Sequence, residues 1–139
     1  MAVTQFRVSE AAALLGVSDD TVRRWGDAGR LVLRRDGSGP AVIDGAQLAT
    51  VAQELAAESA LVEAFPASRA SARNRLTGIV TKVTKDGVMA QVEMQAGPFR
   101  IVSLMSREAA DELGLEPGSL AAASVKATTV VVELLEHTK

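Results

Sequence analysis

Ser71-Ala72-Arg73-Asn74-Arg75-Leu76 stands where the chain changes its period. Upstream, apolar residues recur at helical spacing; downstream, they alternate with polar ones. In Gly87–Gln95, Val88, Ala90, Val92 and Met94 alternate with Met89, Gln91, Glu93 and Gln95. Leu76–Thr84, Phe99–Met105, Ala121–Ala127 and Thr129–Leu134 read as further strands, and Asp86-Gly87 as a hairpin turn. Arg107–Leu113 reads as a short helix that leaves through Leu115-Glu116-Pro117-Gly118. Five short strands and one helix predict a small five-stranded β-barrel.

Before residue 70 the reading is helical. Ser9 is expected to cap a short helix through Leu15, with Ala12, Leu14 and Leu15 on its apolar side. Gly16-Val17-Ser18 is a tight turn, and Ser18 caps a second helix over Asp19–Ala28 that ends at Gly29. Val22 and Trp25, three apart, point inward. Leu31-Val32-Leu33 and Ala41-Val42-Ile43 are short β-type runs around Arg34-Arg35-Asp36-Gly37-Ser38-Gly39-Pro40. Asp44 is expected to cap one helix over Gly45–Glu63, with Leu48, Val51, Leu55 and Val62 on one side and Pro66 as its stop. The expected organisation is α+β in two domains: a winged helix-turn-helix over 1–64, a linker over 65–70 and an OB-like five-stranded barrel over 71–139.

Composition narrows the function. The 139 residues carry 15 basic and 17 acidic side chains and no cysteine. Disulfides, thiolate metal sites and cysteine nucleophiles are excluded. The single histidine, His137, sits near the end of the sequence, which argues against histidine catalysis or metal binding. No activated nucleophile or paired acid and base is visible, so no enzyme is expected. There is no Gly-x-x-x-x-Gly-Lys loop of a transporter ATPase. Without an apolar run of about 20 residues or a signal-peptide core, no membrane association and a cytoplasmic location are expected. A net charge of −2 argues against a nonspecific nucleic-acid coat.

Two clusters of residue types carry chemistry. Helix, three-residue turn, helix and hairpin is the layout of a winged helix-turn-helix. Its second helix would present Thr21, Arg23 and Arg24 to the major groove, where Arg pairs with guanine. Ser18 and Thr21 would reach phosphates, and Arg34 and Arg35 would sit on the wing. The second cluster joins Ser71-Ala72-Arg73 to Val125-Lys126-Ala127-Thr128. Each stretch sets one cation beside small hydroxyl residues, and neither holds a carboxylate. A tetrahedral dianion that has no proton to donate needs such a donor-only surround. Arg73 offers a fork of donors and Lys126 a compact charge. Ser71 and Ser106 offer hydroxyls, and the amides near Ala72 and Ala127 add fixed dipoles. Read as a strand, Ser124, Lys126 and Thr128 share one face. Asn74 is expected to make turn hydrogen bonds, and Gln91 and Glu93 to form a solvated face.

Residues 6–55 resemble the MerR-type and excisionase-type winged helix domains, through Phe6-Arg7-Val8-Ser9-Glu10-Ala11-Ala12, Leu15-Gly16-Val17-Ser18, Thr21-Val22-Arg23-Arg24-Trp25 and Gly29-Arg30-Leu31. This implies operator DNA as a partner. Residues 70–134 resemble the molbindin, or Mop, domain, through Ser71-Ala72-Arg73-Asn74-Arg75-Leu76-Thr77-Gly78, Ala90-Gln91-Val92-Glu93, Ile101-Val102-Ser103-Leu104-Met105-Ser106, Leu113-Gly114-Leu115, Pro117-Gly118 and Val125-Lys126-Ala127-Thr128-Thr129-Val130. That resemblance implies molybdate or tungstate as ligand and no organic cofactor. It places Ser71, Arg73, Ser106 and Lys126 at ligand positions, with Ala72 contributing backbone; Ala109 stands where relatives often carry Ser. It also implies a homo-oligomer with sites between chains, commonly a trimer of dimers, whereas the fused DNA reader favours a dimer. The expected function is a molybdate-responsive transcription regulator. A molybdate storage or buffering protein, and a DNA-binding factor whose barrel only oligomerises, are the alternatives.

Overall fold

The computed structural model describes residues 4–66 and 69–136, which fall into two compact units: the second is Phe65–Leu134, and the first takes the residues up to Ala64 together with those from Leu135. His137 and part of the stretch read as a linker lie outside the described residues.

The first unit opens with a strand that the sequence reading missed. β1 (Gln5–Arg7) pairs antiparallel with β2 (Val42–Asp44), with Phe6 opposite Ile43. α1 (Val8–Leu15) follows directly. Ser9 lies inside it and does not cap it. The Glu10 carboxylate accepts from the Arg7 N–H at 2.8 Å instead, the reach-back of a capping box. Gly16, at φ 71°, closes α1 in the left-handed region open to glycine. α2 (Asp19–Asp27) starts at Ser18, whose hydroxyl accepts from the Thr21 N–H at 3.1 Å.

The expected strand over Leu31–Leu33 does not form. Leu31 is buried at 1% exposure and Leu33 packs on the same core, while the Val32 N–H donates to the Gln47 side chain at 3.0 Å. Pairing resumes only at Arg34 and Val42, which exchange two backbone hydrogen bonds of 2.8 Å. The single helix expected over 45–63 is two: α3 (Gly45–Ala57) and α4 (Ala60–Ala64). Glu58, at the break, is held by Arg30 at 3.4 Å. Asp44 precedes α3 without a side-chain cap, because its carboxylate accepts from Gln5 at 3.3 Å and Arg34 at 2.8 Å. The core joins Val8, Ala11 and Ala12 of α1 to Val22, Leu31, Ile43, Leu48 and Val51, with Trp25 and Leu55 against it. Val62, expected on the same stripe, is exposed.

The second unit is an antiparallel sheet of β3 (Asn74–Lys85), β4 (Met89–Ala96), β5 (Phe99–Ser106) and β6 (Leu120–Val125), in the order β5-β4-β3-β6. Strand β3 pairs with β6 through its first half and with β4 through its second; a register shift between Val80 and Lys82 marks the bulge where it bends. On β4 the inward residues are Ala90, Val92, Met94 and Ala96, all buried, as period two requires. α5 (Arg107–Leu113) spans the predicted residues, capped by Ser106. The unit is a mixed α/β fold with a sheet of OB-like character.

The five-stranded barrel is corrected to four strands among the described residues. β6 ends at Val125 because the Lys126 carbonyl accepts both the Thr129 N–H at 3.0 Å and the Thr129 hydroxyl at 2.9 Å. Those bonds turn the chain into a short 3-10 segment over Ala127–Thr129. The expected strand over Thr129–Leu134 is not formed, and Val131, Val132 and Leu134 are 86%, 87% and 98% exposed. β5 and β6 remain sheet edges, and an open apolar cavity of about 540 Å³ includes Met94, Ile101, Met105, Leu115, Leu120 and Val125.

Candidate oxyanion site and basic face

The last pair of the β3–β6 ladder is Asn74 and Val125. The next residues outward on the two strands are Arg73 and Lys126. Stretches fifty residues apart in sequence therefore meet at one end of one ladder, within one chain. The Asn74 side-chain amide donates to the Val125 carbonyl at 3.1 Å and ties them further. That bond spans two strands and is not the turn bond expected from sequence.

Arg73 and Lys126 are exposed, and among the described residues neither forms an ion pair. Like charges brought to the end of a strand pair repel. An anion between them removes that repulsion. Ser71 is exposed and Ala72 half-buried beside Arg73. Ala127 begins the 3-10 segment, where the first amides have no carbonyl behind them to bond. The expected face of Ser124, Lys126 and Thr128 does not extend past the strand, since β6 stops one residue before Lys126.

Ser106 is elsewhere. It pairs with Met89 at the start of β4, beside the far end of β3. Strand β3 has 12 residues, about 36 Å along its length. Along the ladder Ser106 is thus about a strand's length from Arg73 within one chain. Its hydroxyl accepts from the Ala109 N–H at 3.1 Å as the cap of α5 and keeps its own O–H to donate. The large apolar cavity has no Arg or Lys among its lining residues and is not the oxyanion site.

Two carboxylates of this unit have structural partners. The Met89 and Val88 N–H groups donate to Asp86 at 2.7 and 2.9 Å and hold its carboxyl below 3.8, with Arg107 adding to the effect. Lys85 donates to Asp111 at 2.5 Å and lowers that carboxyl as well. Glu93, expected on a solvated face, has a side chain only 13% exposed and pairs with Arg100.

The basic residues of the first unit divide by how they are held. Arg24 is exposed without an ion pair among the described residues, and Arg23 has only a loose one with Asp20 at 3.7 Å. Arg23 and Arg35 line one shallow groove with Asp27 and Leu33, although Arg35 also donates to the Gly39 carbonyl at 3.1 Å. Arg34 is committed to Asp44 at 2.8 Å. The Ser18 and Thr21 hydroxyls bond each other at 2.9 Å, so both serve the helix start first. Arg30, of the Gly29-Arg30-Leu31 stretch, is held within its own unit. It lies 4.8 Å over the Trp25 ring and reaches Glu54 and Glu58.

No cluster of three or more metal-ligating side chains occurs among the described residues, and no described helix is long and apolar enough to cross a membrane.

Residues 70–132 match the TOBE domain family. Over 63 residues the chain is 40% identical to molybdenum-pterin-binding protein 2 of Clostridium pasteurianum and 36% identical to molybdenum-pterin-binding protein 1. Each match is 45% of this chain and 93% of the relative. A solved molybdate-binding protein from Sporomusa ovata is 31% identical with a TM-score of 0.47, and the match covers 48% of this chain and 100% of that one. With nearly the whole of such relatives aligned at this identity, the chain belongs to the family of the molybdenum-pterin-binding proteins, its TOBE domain spanning residues 70–132.

Proposed function

We propose that this protein is a molybdate-responsive DNA-binding regulator. The second unit takes molybdate, or tungstate of the same charge and nearly the same size, between Arg73 and Lys126. The observation that carries this reading is the register that sets those two cations side by side with no carboxylate partner. Family membership supports molybdate as the ligand, as its relatives are named for molybdenum-pterin binding. Ser71 and the amides of Ala72 and Ala127 complete the donor set from the same chain.

Ser106 enters the site from another copy. The open edges of β5 and β6 and the exposed Val131, Val132 and Leu134 favour such a homo-oligomer, because unpaired strand edges and bare apolar side chains are costly in water.

The first unit supplies the DNA contact, as a winged helix-turn-helix. α2 presents Arg23 and Arg24 outward while Val22 is buried, and Arg35 lies beside Arg23 across the groove. In this account Arg34 braces the wing through Asp44, and Ser18 and Thr21 cap α2 before they meet any phosphate. The anion acts by favouring one arrangement of paired DNA readers over another, which requires different affinities for the two.

The test has two arms. Calorimetric titration with molybdate, sulfate and phosphate is expected to give tight binding of molybdate alone. Retardation of promoter-upstream DNA is expected to change when molybdate is added. Molybdate binding without DNA binding leaves a storage protein. DNA binding blind to molybdate leaves a factor whose second unit only assembles it.

A further inference from the structure

The Arg75 guanidinium donates through Nη1 to the carbonyl of Phe65 at 3.0 Å. Phe65 is the first residue of the second unit and follows directly on α4. Arg75 sits opposite Ser124 in the β3–β6 ladder. It is therefore two residues along the chain from Arg73, and its partner Ser124 is two residues from Lys126. Two residues span at most about 7 Å of backbone, which an extended arginine can reach across. One side chain thus touches the point where the chain leaves the first unit and stands next to the pair of cations that would hold the anion.

Charge gives this placement a direction. Arg73, Arg75 and Lys126 are exposed cations whose backbones lie within two residues of one another at this end of the ladder, so their charges repel weakly through water. Among the described residues, Arg75 is held by the neutral Phe65 carbonyl and by no carboxylate. A dianion between Arg73 and Lys126 reverses the local field. Arginine carries five donors in a rigid fork, so Nη1 can stay on Phe65 while the other donors face the anion.

We propose that Arg75 is the latch that couples oxyanion occupancy to the start of the linker: a bound dianion holds Arg75, and Arg75 holds Phe65. This rests on the anion reading given above. Arg75 is a positioning residue here, because its effect on the DNA-reading unit passes through the backbone at Phe65.

The test compares the full chain with Arg75→Ala and with Arg75→Met, which keeps the apolar stem. Molybdate affinity comes from calorimetry, and linker order from hydrogen exchange in peptides covering 60–72, with and without molybdate. In the wild type, molybdate is expected to slow exchange across that stretch. Both variants should lose the slowing even at saturating molybdate, with calorimetry setting the concentration needed, since loss of one donor to the anion weakens affinity by up to about tenfold. Slowing that persists in both variants overturns the latch, as does a wild type that binds molybdate without any slowing. A wild type that binds no molybdate overturns the anion reading itself, and the two failures are told apart by the calorimetry.

Discussion

Gly78→Ala is a sharp structural test of the strand that carries the site. Gly78 lies on β3 where the Gln95 backbone of β4 passes close by. A Cβ there would sit 2.2 Å from the Gln95 carbonyl oxygen, 2.8 Å from its carbon and 3.0 Å from the Ala96 Cα. All three are backbone atoms, so no rotamer change relieves the contact and the strands must part. Overpacking of this kind costs about 1–3 kcal/mol, and a backbone-only clash belongs at the top of that range. Replacing glycine also restricts the unfolded chain, which returns about 0.4–1 kcal/mol. The net loss is about 2–2.5 kcal/mol. For a unit of this size each kcal/mol moves the melting point by about 4–8 °C, so a fall of roughly 10–20 °C follows. The assay is thermal unfolding by far-ultraviolet circular dichroism. The single tryptophan, Trp25, lies in the first unit, and its fluorescence reports that unit separately. Gly87→Ala is the control, since nothing lies within 4 Å of its Cβ position, and its effect should stay within about 0.5 kcal/mol. A Gly78→Ala protein that melts within about 3 °C of wild type would refute the close approach of β3 and β4.

Three further outcomes are expected. Arg73→Ala and Lys126→Ala each remove charge-assisted hydrogen bonds of about 1.5–2 kcal/mol at an exposed site, so calorimetry should show a 10- to 30-fold weaker molybdate affinity and almost no change in ligand-free melting. Ser18→Ala removes the cap of α2 and should cost about 1 kcal/mol, read by the Trp25 fluorescence transition. Asp86 and Asp111 titrate below their ordinary 3.8 in the folded chain, so their stabilisation is complete above that value and is lost as pH falls below it; denaturation midpoints of the second unit should therefore drop modestly under about pH 4, and less so in Asp86→Ala.

The parts of the fold legible in the sequence are those written in local chemistry. Ser18 as a cap and Gly16 as a left-handed stop follow from residue type alone, and α5 was read to its residue bounds. Strand β4 was legible because one of its faces is buried and the other is not. What stayed hidden depends on distant partners. β1 has 3 residues, too few to show a period, and exists only through β2. The break at Glu58, where Arg30 reaches the carboxylate, carries no glycine or proline that would mark it in the sequence. The expected fifth strand has the right residue types but pairs with no neighbour among the described residues. At the candidate site, sequence supplied Arg73 and Lys126 as chemistry and the ladder register supplied their adjacency. Ser106 looked equivalent in sequence and proves to lie at the opposite end of β3. The signal for Arg75 was its place two residues past Arg73, although its Phe65 contact was not readable.

The most direct measurement is the location of a bound tungstate by anomalous scattering from tungsten in crystals grown with the ion. The account predicts one strong peak per chain at the end of the β3–β6 ladder, within hydrogen-bond reach of the Arg73 guanidinium and the Lys126 ammonium. A strong peak elsewhere, with those two side chains left in solvent, would contradict it.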